Sequence, residues 1–588
     1  MSAHSLQSRT SIPLTVGAVT LALGGAAWYL RSSILRSSRN SRTSQFLTKS
    51  TSARSKAQTE SQAHQLALTS LTWLVAAFGP DGRHANDTAA GCMVASPSRP
   101  EDRPGGKDEN ESYYFQWSRD SGLCARALLG ALVRAEEGHQ IGIENEEAQD
   151  LHEIFRNFVE MSIKLQALPN PSGTYETGGL GEPKFNVDGS AFQASWGRPQ
   201  NDGPALRALA ALRYAIFLQN TRPGSKEVDT YITDRLWAPA SAPSSRTLIR
   251  DDLDYVARVW ETENSFELWE EVEAASSPLD GGGHFHVLMS QKGALEAGAA
   301  FAKTPLIADE ERSQRYAKAA QGIAQRLEKF WITDTEIDHE GGPTINDGPM
   351  AINWDDDRRL GIIPKDILAL PHLTPTLLRQ GGQQKPTEVD IACILAFNHS
   401  WDGHYDGNHS DVWSPWSERA AATLHRALIA FQSVYKINEG HSLEDGILVG
   451  RYPEDVYNGV EQSIGHPWFL TTHATAELLY ITATHWLAIH HVEITAISLP
   501  LYKLFDPRAK VGKHEQGSSA FQIAIRGLRA LADKQLERCR EVLLAEGRMD
   551  EQIERFTGKQ RGARHLSWSY ASYLSCYDAR HGRENPVL

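Results

Sequence analysis

Beyond about residue 60, segments with apolar residues at helical period recur, separated by polar loops rich in Gly, Pro, Trp and Asp. Strand-like alternation is scarce. Helical candidates include "DSGLCARALLGALVRAEE", "QKGALEAGAAFAKT", "PWFLTTHATAELLYITATHWLAIH" and "SWSYASYLSCYDAR"; with weaker segments between them, roughly a dozen helices span some 500 residues. In "DGPALRALAALRYAIF", Asp202 is placed to cap and Pro204 fits the first turn, while Leu206, Leu209, Leu212 and Ile216 form one stripe. Ala205, Ala208 and Ala211 make a second face able to pack. A helix apolar on more than one side is sandwiched between others. No Gly/Ser-rich linker divides this region, so residues 60–588 are expected to form one all-α domain.

The first 59 residues contain no Asp or Glu and carry an uncharged apolar run, residues 12–30, followed by a Ser/Arg-rich stretch. Such a segment targets or anchors, and a run of this length just spans a bilayer, which takes ~20 apolar residues. An uncleaved signal anchor, a cleaved signal peptide and a mitochondrial presequence all fit. Sequons at Asn86, Asn110, Asn398 and Asn408 favour the secretory route, with a membrane-anchored, vacuolar or secreted product. Arg31, Arg36, Arg39 and Arg42, following the run, favour a cytoplasmic-face placement instead. Acidic residues (73) exceed basic ones (59), a net charge of −14 that disfavours nucleic acid and suits a neutral ligand. The five cysteines are far apart, with no C-x-x-C pair to suggest zinc or redox chemistry, and no metal or organic cofactor is expected.

Four loops, "YYFQWSRDS", "SWGRPQNDGPA", "GRYPEDVYNG" and "GARHLSWSY", each place aromatic, Arg and polar or acidic residues ahead of a helix. Helix N-termini present unpaired N–H groups, and four such loops imply that several helices start on one rim and line one pocket. Rings that stack on sugar faces, with Arg and Asp to hold hydroxyls, suit a polyhydroxylated ligand. The stretch "FELWEEVEAASS" crowds Glu267, Glu270 and Glu271 around Trp269. On a helix these like charges repel, and the bland reading is a solvated helix face. Crowding and an adjacent indole also favour keeping one carboxyl protonated, as glycoside hydrolysis requires of its acid. A second carboxylate must come from a distant segment. Glu551 is a candidate, and from the residues alone Asp550 and Glu554 serve equally.

The stretch "GLGEPKFNVDGSAFQASWGRPQNDGPALRA" resembles a signature of glycoside hydrolase family 15, the family of fungal glucoamylases. "YYFQWSRDS", "FELWEEVEAASS", "VGRYPEDVYNG" followed by "PWFL", and "ARHLSWSYASYL" follow in the family's order, covering about residues 65 to 580. The resemblance implies an (α/α)6 barrel with a pocket at one end of its inner ring. It also implies release of β-D-glucose, with inversion, from non-reducing ends of α-1,4-glucans such as starch, glycogen and maltooligosaccharides. By the same resemblance Glu270 matches the general acid, Glu271 its sugar-holding neighbour and Glu551 the general base, seventeen residues before Trp568. Glu267 matches an acidic position that the family pattern also offers as the counterpart base; it is counted with the catalytic carboxylates and expected to act as their electrostatic partner. Tyr113, Trp117, Arg119, Asp120, Trp196, Leu268, Trp269, Arg451 and Trp468 fall on the substrate-binding pattern.

The chain departs from the family in an enlarged Gly-rich turn after the acid, expected to reshape outer subsites. No starch-binding module is expected after Trp568, and raw granular starch is expected to be a poor substrate. A monomer is expected. Trehalose or α-1,6-glucan hydrolysis on the same fold, and a membrane-tethered glucan-binding protein without catalysis, are the alternatives.

Overall fold

The computed structural model describes residues 49–583 apart from 100–111, 137, 139–144, 241–244, 334–369, 402, 404 and 406–410; the apolar run 12–30 and the sequons at Asn110 and Asn408 lie outside the described residues. Twelve helices of nine residues or more are present among them. In chain order these are α1 (Lys49–Val75), α2 (Ser118–Glu136), α3 (Asn145–Ala167), α4 (Gly203–Thr221), α5 (Leu248–Val259) and α6 (Phe285–Ala302). They continue with α7 (Glu310–Leu327), α8 (Ala392–Ser400), α9 (Glu418–Val434), α10 (Phe469–Ala488), α11 (Ser519–Glu541) and α12 (Ser567–Arg580). Contacts divide the chain into residues 1–62 and 63–588, so α1 begins inside the segment expected to be a tail.

The even-numbered helices close a ring: α2 packs on α4, α4 on α6, α6 on α8, α8 on α10, α10 on α12, and α12 back on α2. Each of α3, α5, α7, α9 and α11 packs outside the inner helix that precedes or follows it. Residues 63–75 of α1 do the same for α12, with the Tyr573 hydroxyl donating to the Ala63 carbonyl at 3.1 Å. The fold is an (α/α)6 barrel, as the family resemblance implied.

Patterning separates the two rings. Every residue of α4 from Gly203 to Leu218 is buried, so both the leucine stripe and the alanine face pack. On α10 burial is continuous from Phe469 to Ala483. Outer helix α7 buries only a stripe, Ser313, Tyr316, Ala319, Ala320 and Ile323 followed by Arg326 and Leu327, the three- and four-residue spacing of a one-sided helix. Fully buried Leu212 and Leu218 each contribute about 1.5–3 kcal/mol relative to exposure.

The ends differ as well. Outer helices α7, α9 and α11 carry side-chain caps from Asp309, Ser417 and Ser518. Inner helices α4, α6, α8, α10 and α12 have no N-cap side-chain bond.

Several expectations need correction. "FELWEEVEAASS" is not helical: Ser265–Phe266 (β1) pairs antiparallel with Glu273–Ala274 (β2), and the glutamates ride on the connecting turn. The Glu267 N–H donates to the Val272 carbonyl and the Glu270 N–H to the Glu267 carbonyl, both at 3.0 Å, closing a short hairpin in place of a helix. Asp202 precedes α4 but makes no cap bond; its carboxylate faces Arg119 and His286 instead, and a charged partner outcompetes a backbone N–H. Helix α6 starts at Phe285, upstream of the "QKGALEAGAAFAKT" segment. The Asn398 sequon lies on inner helix α8 with its side chain fully buried, where a glycan has no room, whereas Asn86 is exposed. All five cysteines are buried and free.

Candidate active site

The loops leading into the inner helices meet around one cavity of about 300 Å³. Tyr113, Trp117, Arg119 and Asp120 come from the entry to α2, and Trp196 from the entry to α4. The β1–β2 hairpin supplies Leu268, Trp269, Glu270 and Glu271. Arg451 and Trp468 come from the approach to α10, and Glu551 from the segment before α12. Trp468 and Leu566, the residues preceding α10 and α12, line it too, so uncapped inner-helix N-termini sit at this end. Their partial positive charge favours the carboxylates gathered there.

The hairpin sends its three glutamates to three different partners, which relieves the crowding expected of a helix. Glu270 has a left-handed backbone (φ 69°), a conformation costing on the order of 1–3 kcal/mol in a residue with a Cβ. That twist turns its carboxyl into the cavity. Oε1 accepts from Trp117 Nε1 at 2.7 Å and Gln200 Nε2 at 3.1 Å, with Arg119 at 3.5 Å. Glu271 takes Arg451 at 2.7 Å on Oε1 and the Tyr452 hydroxyl on Oε2. Arg451 is itself forked onto Asp455, at 2.6 and 2.8 Å.

Glu267 is not among the cavity-lining residues. It is buried, with Oε2 2.7 Å from Lys385 Nζ, and Lys385 also binds Asp390 at 2.6 Å. Asp390 in turn accepts from Trp269 Nε1 at 2.9 Å and from the Ala392 N–H at the start of α8. Burial raises Glu267 to about 7 in spite of the Lys385 ammonium. This chain of contacts fixes the base of the hairpin and the Trp269 ring.

Across the cavity, Glu551 is held in a second hairpin, where Gln552–Ile553 pairs with Gln560–Arg561 and the Glu551 N–H donates to the Ala563 carbonyl at 2.8 Å. Its Oε2 lies 3.5 Å from the Tyr457 hydroxyl, which is 2.8 Å from that of Tyr113. Gly562 leaves the room: a Cβ there would stand 2.2 Å from Glu551 Oε2. Asp550 bonds the His565 N–H and Glu554 turns to Thr557, so neither lines the cavity.

The family model for "Glycosyl hydrolases family 15" matches residues 69–578. The chain belongs to glycosyl hydrolase family 15. Among relatives it is 31% identical to "Glucoamylase-1" of Schizophyllum commune over 509 residues, 87% of this chain and 72% of that one. To the "Probable glucoamylase" of Schizosaccharomyces pombe it is 30% identical, covering 87% of this chain and 89% of that one. In fold it is similar to the family 15 glucoamylase from Hypocrea jecorina, with TM-score 0.71 and 28% identity, covering 90% of this chain and 73% of that one.

Within this family 15 site the floor is a buried ionic network. Arg119 meets Gln200 at 2.7 Å, Asp202 at 3.4 Å and Asp120 at 3.5 Å. Burial opposes the charge on Asp202, but Arg119 and His286 hold it down at about 2. Burial pushes Asp120 up to about 6 against the pull of Arg119. The indole N–H groups of Trp196 and Trp468 are buried without a hydrogen-bond partner among the described residues, while both residues line the cavity.

Residue reasoning missed Tyr457 and Trp568 as lining residues, although both stand inside quoted motifs. Lys385 and Asp390 carried no local signal. The enlarged Gly-rich turn forms a strand pair, Ser276–Ser277 with Gly281–His284, and does not line the described cavity. Among the described residues no cluster of His, Cys, Asp or Glu is placed to hold a metal ion.

Proposed function

We propose that this family 15 enzyme removes single glucose units from the non-reducing ends of α-1,4-glucans, releasing β-D-glucose. The observation that carries the reading is the placement of Glu270 and Glu551 in one aromatic cavity, on two separate hairpins. Trp117, Trp196 and Trp468 wall the space for sugar rings, and the Arg119/Asp120 and Arg451/Glu271 pairs offer charged partners for hydroxyls.

In this mechanism Glu270 protonates the glycosidic oxygen. Its Oε1 already accepts from Trp117 and Gln200 and faces Arg119 at 3.5 Å, which leaves Oε2 to carry the proton. Glu551 takes a proton from a water on the opposite face of the sugar, with Tyr457 steadying its carboxylate. Attack from that face inverts the anomeric carbon, a geometry that calls for carboxyl groups ~6.5–9.5 Å apart. Glu267 acts through Lys385 and Asp390, holding the acid hairpin.

Proton NMR of the chain with maltoheptaose tests this reading. β-Glucose appearing before its α anomer supports it, and initial α-glucose defeats the inverting mechanism.

We also propose entry into the secretory pathway with attachment through residues 12–30, on the strength of their apolar run and the absence of acidic residues before position 60. No described helix is long and apolar enough to cross a membrane. Carbonate extraction of the membrane fraction decides the attachment: the chain stays in the pellet if anchored and leaves it otherwise.

A further inference from the structure

A lysine sits in an unusual place beside the acid. Lys184 is fully buried, and its Nζ has no hydrogen-bond partner among the described residues. It is instead surrounded by rings: Trp196 at 3.5 Å, Phe115 at 4.2 Å, Phe192 at 4.4 Å and Trp117 at 4.7 Å from Nζ to the ring centroid. These four rings contact one another in a closed cycle, Phe115 to Trp117 to Trp196 to Phe192 and back, at 5.2 to 6.2 Å. Lys184 also pairs with Trp117 across a two-residue antiparallel ladder, so backbone and side chain hold the same indole.

A buried ammonium without a hydrogen bond is costly, and ring quadrupoles are its compensation here. Two of the rings, Trp117 and Trp196, line the cavity, and Trp117 Nε1 is the 2.7 Å donor to Glu270. We propose that Lys184 is a positioning residue for the proton donor: its caged ammonium locks the Trp117 and Trp196 indoles in the cavity wall and orients Glu270 through Trp117 Nε1. The proposal rests on Glu270 as the acid.

Burial lowers Lys184 to about 7, while Glu270 favours its charge and Arg198 opposes it. Those are the charged groups facing it, from the acid hairpin and from the loop before α4; Arg198 is itself paired with Glu182 at 3.1 Å.

The test compares Lys184→Met, Lys184→Arg, Phe192→Leu and Glu270→Gln in the full chain, with kcat and KM on maltose. Phe192 is half-buried and does not line the cavity, so its variant opens the cage gently. Lys184→Met is expected to lower kcat about tenfold with KM within about twofold, as displaced catalytic geometry does. Lys184→Arg, which keeps a cation inside the ring cage, should recover most of that kcat. Phe192→Leu should lower kcat in the same direction by less, and it decides the matter if Lys184→Met does not fold.

Folded variants with wild-type kcat, or a kcat loss in Lys184→Met matched by an equal loss in Lys184→Arg, overturn the proposal, because the positioning role needs the caged cation. Activity retained in Glu270→Gln would instead defeat the assignment of the acid itself.

Discussion

Trp117 Nε1 lies 2.7 Å from Glu270 Oε1 and donates to it, across 153 residues of sequence. Trp117→Phe keeps the ring and deletes this donor. A hydrogen bond to a charged group contributes about 1.5–3 kcal/mol, so kcat should fall by roughly 10–100-fold. Steady-state kinetics on maltose check this, with circular dichroism confirming the fold.

Gly562 has φ 76°, and a Cβ there would stand 2.2 Å from Glu551 Oε2. Gly562→Ala carries left-handed strain of about 1–2 kcal/mol and pushes the carboxylate aside. Thermal unfolding should shift down, and kcat should drop by about 10–100-fold. An unchanged kcat would remove Glu551 from the reacting geometry.

Lys385 is fully buried between Glu267 and Asp390. Lys385→Met leaves two buried carboxylates without their cation, at about 3–5 kcal/mol. Urea unfolding at pH 7.5 should show this loss. Part of it should return at pH 5.5, where Glu267, already raised to about 7 by burial, becomes neutral.

Stability of the wild-type chain should decline as pH falls below 6.5. Burial pushes His84, His152 and His425 down to about 4 and His284, His466, His473 and His565 down to about 3. The unfolded chain takes up those protons first, so acid destabilises the fold across this window. Burial raises Glu267 and Glu477 to about 7 and Asp120 and Glu454 to about 6, which works in the opposite direction from about pH 7 down to 4. The histidines are more numerous and should dominate. Calorimetry across pH 4 to 7 measures the balance, and a Tm rising toward pH 4 would contradict it.

Asn398 Nδ2 donates to the Ala474 carbonyl at 2.9 Å and Glu477 Oε2 at 3.3 Å inside the barrel. Peptide mass spectrometry should find Asn398 without a glycan in the folded protein. Asn398→Ala should lower unfolding free energy by about 1–3 kcal/mol, because Glu477 and the carbonyl lose their donor.

Helix periodicity, continuous apolarity on α4 and α10, and the aromatic loops ahead of several helices were all legible along the chain. Each is a local pattern, expressed within a few turns. The resemblance to family 15 supplied the candidate carboxylates, where the residues alone left Glu551, Asp550 and Glu554 equivalent. In the structure, Glu551 lines the cavity while Asp550 and Glu554 turn to His565 and Thr557.

Other features existed only after the ring of six had closed. The acid stretch is a hairpin because Glu267 finds Lys385, 118 residues away, and Trp269 finds Asp390, 121 residues away. Lys184 reads as an ordinary charged residue until Phe115, Trp117, Phe192 and Trp196 surround it. The sequence by itself determined most of the long helices and which face each one buries, since periodicity and propensity act over neighbouring residues. Only the tertiary structure decided the partners of the buried charges: desolvation and ion pairing depend on distances across the barrel, which no spacing along the chain encodes.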